Sequence, residues 1–366
     1  MSSFTPLRSI YPALLRRVGT DSIYSAPIPK LLSSPLRPAP PSGLRCPFVH
    51  RLHANMAHAQ TETTSSPLSP GTHTFTSPES GLTLCYSVRG DRDDSAKKPP
   101  LIIQCPGWGM GPSYLETGLA PLAAHFTLVF PRPRGTNGSS RPSSPNEMGT
   151  MAHMSSDLEA LRQHLRLDRF PALLGHSNGG AIALGYAERF PRRVEKLVLL
   201  DHQLVGFRDR RMLARLETRQ DPRYAAAAEY LRSRMDPKTD EQFTRDVKRI
   251  LPLYFFDPDR YLPELLSAIG EETVMSLWCR DAQAESDAKE IAQSHPPRML
   301  AALKDVTAQT LMIFGKEDMI TGLGVAEKTR EGIPHAELKV YERCGHFPWI
   351  EQRERTVRDI VAFLTR

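Results

Sequence analysis

Cysteine and long apolar runs are both scarce in this chain of 366 residues. Its five cysteines include no C-x-x-C pair and no spacing with histidine that would suggest a metal site. Their odd number is more typical of free thiols than of a disulfide framework. No apolar run is long enough for a secretory h-region or a membrane span. We therefore expect no structural metal, no cofactor and no membrane-spanning segment.

Acidic residues are nearly absent from the first 60 residues. This segment contains one acid, Asp21, together with seven basic residues and nine prolines. Apolar residues recur there at helical spacing: Phe4, Leu7, Tyr11, Leu14 and Val18. This composition predicts a mitochondrial transit peptide, with a chloroplast peptide or a plain disordered tail as alternatives. Met56 is a candidate internal start that would give a second, cytoplasmic form. The Ser-, Thr- and Pro-rich residues 61–71 resemble a linker.

The excess positive charge lies in this leader. The chain has 47 basic and 41 acidic residues, and removing the leader's seven and one leaves 40 of each. The sequence pI of about 9.1 therefore favours neither nucleic acid nor an anionic membrane as a partner. The remaining length suits one α/β domain with an inserted segment.

The stretch Gly175-His176-Ser177-Asn178-Gly179 has the pattern G-x-S-x-G and lies between a short apolar run and a helical pattern. A serine on a sharp strand-to-helix turn needs small neighbours, because bulky ones would clash with the turn. The turn lifts the hydroxyl above the sheet and leaves the N–H of Asn178 free to face a developing oxyanion. The pattern also occurs by chance in glycine-bounded turns, so the surrounding chain decides its meaning.

Short apolar runs alternate with helical patterns over the rest of the chain. The runs typical of buried strands are 100–105, 126–130, 170–174, 194–200, 310–314 and 337–341. Residues 154–167 have the spacing of an amphipathic helix, and Ser156 with Glu159 predicts a capping box at its start. Such a pattern predicts an α/β fold with a mostly parallel central sheet and helices on both faces. In these sheets functional residues gather after the carboxyl ends of the strands, where Ser177 lies.

Over residues 72–366 the chain resembles the α/β-hydrolase superfamily, whose Ser-Asp-His triad follows in that order along the chain. Asp318 follows the run 310–314 and His346 follows the last run, so both match the family positions. The resemblance implies that His346 removes the proton of Ser177 while Asp318 orients the imidazole. Glu317 and Asp201 are the alternative acids, since some family members carry the acid where Asp201 stands.

The same resemblance implies an oxyanion hole formed by the N–H groups of Trp108 and Asn178. The corresponding family loop usually opens His-Gly-x, whereas this chain has Pro106-Gly107-Trp108. Proline thus replaces the usual histidine, although a backbone donor survives the change. The candidate substrate-binding residues are Gly107, His176, Tyr254 and Trp278.

Between residues 204 and 308 the strand pattern stops and helical patterns take over. This is the position of the family's helical lid, so we divide the hydrolase core into residues 72–203 and 309–366. Aromatic residues of the lid, Tyr254 and Trp278 among them, favour a bulky apolar acyl group over a small polar one.

A serine as the candidate nucleophile on the strand-to-helix turn argues against epoxide hydrolases and haloalkane dehalogenases, which use aspartate at that position. We predict a serine hydrolase that cleaves an ester, lactone or amide bond of a small, apolar substrate through an acyl-enzyme on Ser177. Loops 106–112 and 134–140 resemble the proline iminopeptidase branch in part, so a prolyl-type aminopeptidase is an alternative. Glu264, Glu271 and Glu272 would then be candidates for binding the substrate amine. A non-catalytic ligand receptor or scaffold on the same fold is an alternative of another class.

Overall fold

The computed structural model describes residues 66–90, 98–211, 221–233 and 236–366. The leader 1–60 and residues 61–65 of the linker lie outside these ranges, so the transit peptide and the mitochondrial localisation stay predictions. Among the described residues no helix combines the length and the apolar character needed to cross a membrane.

In the described part of the chain, eight strands form one sheet in the order β1-β2-β4-β3-β5-β6-β7-β8. The strands are β1 Gly71–Thr76, β2 Thr83–Arg89, β3 Pro100–Gln104, β4 Thr127–Arg132, β5 Phe170–His176, β6 Val194–Leu200, β7 Gln309–Gly315 and β8 Glu337–Tyr341. β2 pairs antiparallel with β1 and with β4, and every other neighbouring pair is parallel. The mostly parallel sheet predicted from the sequence is confirmed, and β1 and β2 extend it at one edge.

Helices cover both faces of this sheet. The described α-helices are α1 Ser113–Gly118, α2 Ser155–His164, α3 Asn178–Arg189, α4 Pro222–Arg232, α5 Asp240–Ile250, α6 Pro258–Ile269, α7 Leu277–Gln293, α8 Arg298–Ala302, α9 Leu323–Gly332, α10 Pro348–Glu351 and α11 Arg353–Leu364. α5 shows why such segments are helical. The Thr239 side chain accepts the N–H of Gln242, and acidic residues in the first turn with basic residues in the last complement the helix dipole.

The capping box predicted at Ser156 and Glu159 is wrong. A π-helical turn, Thr150–Met154, runs directly into α2, so the chain is already helical before Ser156. The Ser156 hydroxyl therefore donates to the carbonyl of Ala152, and Glu159 pairs with Arg162 instead of with the helix start.

Neighbouring residues of each central strand enter two different hydrophobic clusters, one on each face of the sheet. In β3, Ile102 packs with α2 and α3, whereas Leu101 and Ile103 pack with α1 and α11. Both faces of the strand are buried, which explains why its sequence is continuously apolar rather than alternating.

All the described α-helices between β6 and β7, α4 to α8, fall within residues 204–308, the segment predicted to form the lid and called the lid below. The lid has a small apolar cluster of its own, which includes Tyr224, Leu231 and Leu253. Met319, from the loop after β7, packs into this cluster. The lid is thus anchored next to Asp318, one of the predicted site residues.

Candidate active site

Ser177 occupies a sharp turn between β5 and α3. Its φ of 54° and ψ of −124° lie in a region that non-glycine residues seldom adopt. The glycines around it are required by packing, because a Cβ on Gly179 would lie 2.2 Å from the carbonyl oxygen of Gln104. A Cβ on Gly175 would lie 2.5 Å from the carbonyl oxygen of Gly179. The turn that the G-x-S-x-G pattern predicts is therefore present.

His346 and Asp318 are joined by a direct hydrogen bond. β7 and β8 are parallel neighbours, so the loops that follow them meet at one edge of the sheet. There His346 Nδ1 donates to Asp318 Oδ2 at 3.0 Å, and both side chains are buried.

Asp318 is held in its charged form by the groups around it. The N–H of Ile320 donates to Oδ1 at 2.7 Å, and the Thr321 hydroxyl donates to Oδ2. Burial by itself would raise the pKa of Asp318, but His346 and these hydrogen bonds outweigh it and leave the pKa below its usual value. The aspartate can therefore orient the imidazole and stabilise its protonated form.

The second ring nitrogen of His346, Nε2, is buried and has no hydrogen-bond partner among the described residues. Buried polar atoms rarely lack a partner, and functional sites are a common exception. The backbone of His346 is fixed on both sides. Its N–H donates to the carbonyl of Tyr254 at 2.6 Å, and its carbonyl accepts from His176 Nε2 at 2.9 Å. The ring is thus held in place, and Nε2 is the nitrogen that can accept a proton.

Both ring nitrogens of His176, which we predicted to bind substrate, form hydrogen bonds within the protein. Because Nε2 donates to a carbonyl, Nδ1 is an acceptor, and the hydroxyl of Tyr114 donates to it at 2.9 Å. Burial, with His346 nearby, holds the pKa of His176 well below its usual value, so the ring is neutral. Both nitrogens are used within the protein, and His176 supports the His346 loop.

The side chain of Asn178 connects three parts of the molecule. Its Oδ1 accepts the N–H of Gly107 at 2.8 Å and Nε2 of Gln283, from lid helix α7, at 3.1 Å. Its Nδ2 donates to Gln203, in the loop after β6, at 3.3 Å. Gly107 was expected to bind substrate, but its N–H is used by this contact. Asn178 and Gln283 therefore fix the loop that carries Trp108.

The predicted oxyanion donors remain free. The N–H groups of Trp108 and Asn178 donate to no group in the described part of the chain. The loop reaches this position through left-handed glycines such as Gly109, with φ of +93°, where a Cβ would lie 2.7 Å from the backbone nitrogen of Ser276. Trp108 packs its ring against Phe243 of α5, so it belongs to the boundary between this loop and the lid.

Of the two aromatic lid residues predicted to bind substrate, one lies at the triad. The ring of Tyr254 meets the ring of His346 edge-on, with 5.3 Å between the centroids. Trp278 instead packs against the loop after β4, where the guanidinium of Arg141 lies 3.5 Å above its ring. The structure therefore assigns the two aromatics different surroundings.

Asp201, one of the alternative acids, lies behind the triad. It is fully buried, and its Oδ1 accepts the N–H of Gly315 at 2.9 Å. One oxygen each of Asp201 and Asp318 and one nitrogen of His346 lie within 4.8 Å of one another, close enough for a shared metal ion. The direct His346–Asp318 hydrogen bond is instead the arrangement of a triad, and it favours Asp318 over Asp201 and the partly exposed Glu317.

Glu351 is a site residue that sequence reasoning missed. Its carboxylate accepts the N–H of Gly345 at 2.5 Å and the N–H of Phe256 in the lid at 2.7 Å. Burial raises its pKa to about 7, although these N–H donors lower it in part. An acid among the apolar residues of α10 was the available signal in the sequence. Glu351 ties the loop that bears His346 to the lid.

A parallel sheet with a serine elbow after β5, an acid after β7 and a histidine after β8 defines an α/β protein with a serine–histidine–aspartate site. Residues 100–352 match the family model described as alpha/beta hydrolase fold, and the chain belongs to this family. The curated relatives it matches are mostly named hydrolases, and the chain is a hydrolase.

Three comparisons show the range of these relatives. A 2-hydroxy-6-oxo-2,4-heptadienoate hydrolase from Pseudomonas putida is 27% identical over 284 residues, which cover 74% of this chain and 91% of the relative. An esterase from Rhodococcus sp. ECU1013 superposes with a TM-score of 0.56 at 18% identity, over 80% of this chain and 98% of its own. An enol-lactonase from Burkholderia xenovorans LB400 superposes with a TM-score of 0.56 at 19% identity, over 78% of this chain and 98% of its own.

Proposed function

We propose that the protein is a serine hydrolase that opens an ester or lactone bond of a small, largely apolar substrate through an acyl-enzyme on Ser177. The observation that carries this proposal is the strained Ser177 turn together with a His346 ring that is bonded to Asp318 through Nδ1 and unpartnered at Nε2. A serine hydroxyl becomes a nucleophile only when such a base takes its proton.

In the proposed reaction, His346 Nε2 takes the Ser177 proton as the oxygen attacks the substrate carbonyl. The resulting oxyanion accepts hydrogen bonds from the N–H groups of Trp108 and Asn178. The tetrahedral intermediate collapses, and the leaving alkoxide takes the proton from His346. A water molecule then attacks the acyl group, gives its proton to His346 and releases the carboxylic acid as Ser177 recovers its proton.

The surroundings of the triad support an apolar substrate. The rings of Tyr254 and Phe347 contact the ring of His346. In the loop that carries the predicted oxyanion donor, Trp108 packs against Phe243 and the thioether of Met154 lies beside Gly107. Apolar walls with a few placed polar groups are typical of small-molecule sites.

The aminopeptidase alternative is less well supported. Glu264 forms its ion pair with Arg353 at the surface, and Glu271 and Glu272 are exposed. None of these acids therefore has the buried surroundings expected of a site for a substrate amine. A second candidate is cleavage of a carbon–carbon bond by the same Ser177 chemistry, which the 27% identical heptadienoate hydrolase favours.

The test is labelling of the full-length protein with a fluorophosphonate probe. We expect the wild type to be labelled, Ser177→Ala and His346→Ala to lose labelling, and the exposed control Ser143→Ala to keep it. Turnover of p-nitrophenyl esters of increasing acyl length, lactones and prolyl amides then ranks the bonds. A prolyl amide that is cleaved only when its amine is free would support the aminopeptidase instead. A folded wild type that is not labelled would contradict the proposal and favour a ligand receptor.

A further inference from the structure

Asp201 is a fully buried carboxyl, and among the described residues only one of its two oxygens has a hydrogen-bond partner. Oδ1 accepts the N–H of Gly315, but Oδ2 is buried and has no donor among the described residues. The backbone holds the residue in place with a φ of +39°, and its N–H donates to the carbonyl of Ile313. A charged carboxylate in this position would leave one oxygen without compensation, which is costly inside a protein.

The neighbour of Asp201 is the acid of the triad. Carboxyl oxygens of Asp201 and Asp318 and a ring nitrogen of His346 lie within 4.8 Å of one another. Two ionised carboxylates can only accept hydrogen bonds, so they repel at this range. Asp318 is the one that pairs with His346 and accepts from Thr321 and Ile320. The charge therefore belongs on Asp318.

We propose that Asp201 is a protonated carboxyl that donates a hydrogen bond to Asp318, so that the two acids behind His346 carry one negative charge and one shared proton. The inference rests on the proposed function. Asp201 is then a positioning residue: it acts on His346 through Asp318 and touches no substrate. Its role is to hold the Asp318 carboxylate in place beside Thr321, whose hydroxyl contacts both Asp318 Oδ2 and the carbonyl oxygen of Asp201, while Oδ1 fixes Gly315 at the end of β7.

The groups that face Asp201 support this protonation state. They are Asp318 from the loop after β7, His346 and Cys344 from the loop after β8, and Glu351 from α10. Burial and the negative charge of Asp318 raise the pKa of Asp201 well above its usual value, and the N–H of Gly315 only partly opposes them. His346 lies closer to Asp318, where its hydrogen bond is made.

The first measurement is the carbonyl stretching band of protonated carboxyl groups in the infrared spectrum of the full-length protein at neutral pH. An Asp201→Asn variant keeps an oxygen for the Gly315 N–H and places an N–H₂ donor toward Asp318, so it mimics the protonated acid. We expect the difference spectrum, wild type minus Asp201→Asn, to show one protonated-carboxyl band lost. Absence of such a band would mean that Asp201 is ionised and would overturn the inference.

The second measurement is the pH profile of kcat/KM with the best p-nitrophenyl ester. If Asp201 is neutral, Asp201→Asn changes no charge, so kcat stays within about threefold and the acid limb does not move. Asp201→Ala removes the donor to Asp318 and should lower kcat about 10- to 100-fold with little change in KM. If kcat is retained in Asp201→Asn but falls in Asp201→Ala, the residue acts by positioning Asp318 and not merely by filling space.

Two outcomes of the kinetics would overturn the inference. A shift of the acid limb by about one pH unit or more in Asp201→Asn would show that a negative charge beside His346 was removed. A loss of about 10⁴-fold in the same variant would make Asp201 the ionised partner of His346. The infrared band needs no turnover, so it decides the inference even if the wild type hydrolyses no ester and the proposed function fails.

Discussion

The side-chain oxygen of Asn178 accepts the N–H of Gly107 at 2.8 Å, so the residue after the nucleophile holds the loop that carries the second oxyanion donor. The backbone of Asn178 supplies one N–H to the oxyanion site, and its side chain positions the loop that supplies the other. Gln283 of the lid donates to the same oxygen. The geometry of the oxyanion hole therefore depends on one amide and on where α7 docks.

Replacing Asn178 with alanine should lower kcat about 10- to 100-fold while KM changes little, because a buried Gly107 N–H loses its acceptor and the loop moves. The matched control is Gln203→Ala, which removes the longer 3.3 Å contact to Nδ2 of the same side chain and should change kcat less than about threefold. Steady-state kinetics with a p-nitrophenyl ester measures both. Equal kcat values for the wild type and Asn178→Ala would contradict this role.

Asp318 and Glu317 are adjacent in the sequence, so they test the choice of acid directly. Asp318→Asn should reduce kcat about 10⁴-fold, because the imidazole loses the partner that fixes its tautomer and stabilises its charge. Glu317→Gln should leave kcat unchanged, since Glu317 is partly exposed and forms no ion pair in the described structure. Comparable losses in both variants would show that the acid has been misassigned.

The three proposed triad residues could be picked out from the sequence because each follows a short apolar run that predicts a buried strand by itself. Ser177, Asp318 and His346 all lie directly after buried strands, and the parallel order of those strands brings the three loops together. β1 and β2 were not predicted. Gly71–Thr76 is largely exposed at the sheet edge and has no apolar run to mark it, and in Thr83–Arg89 a serine and a cysteine interrupt the apolar residues.

The supporting contacts could not be predicted, because they join residues that are far apart in the chain. The Asn178–Gln283 contact spans 105 residues and depends on how the lid docks. His176 was predicted to bind substrate. Its ring is instead committed to Tyr114 and to the carbonyl of His346, residues that approach it only through the tertiary fold.

The contribution of Glu351 to the stability of the protein should fall as the pH rises from about 5 to about 8. Glu351 has a folded-state pKa raised to about 7, so the folded state holds its proton more tightly than the unfolded chain does. That contribution is complete below the unfolded pKa and is lost as the pH rises through the folded one. The loss is roughly 2 kcal/mol for this group.

Urea denaturation over this pH range, compared with Glu351→Gln, isolates the contribution. The variant loses one acceptor for the Gly345 and Phe256 N–H groups, so it should be less stable at low pH. Because the variant cannot titrate at this position, the difference in free energy of unfolding, wild type minus variant, should shrink as the pH rises. Parallel curves for the two proteins would show that Glu351 does not titrate in this range.

Gly315 lies where β7 meets the loop that bears His346, and it leaves no room for a side chain. A Cβ there would lie 1.9 Å from the carbonyl oxygen of Gly345 and 2.4 Å from that of Cys344. Both obstacles are backbone atoms, which cannot rotate away as a flexible side chain would. Gly315→Ala should therefore lower the free energy of unfolding by about 3 kcal/mol and reduce kcat in the folded fraction, since the His346 loop must shift.

Gly185 is the matched control because it lies inside α3. A Cβ on it would lie 3.3 Å from Cγ of Met151, 3.5 Å from Cα of Met151 and 3.5 Å from the methyl group of Met299, with no described backbone atom outside α3 closer than 3.5 Å. Alanine is favoured over glycine in a helix by about 1 kcal/mol, so Gly185→Ala should be as stable as the wild type or slightly more stable. Urea denaturation and kcat at one pH compare the two variants. If Gly315→Ala matched Gly185→Ala in both measurements, the close approach of the β7 end to the His346 loop would not constrain the site.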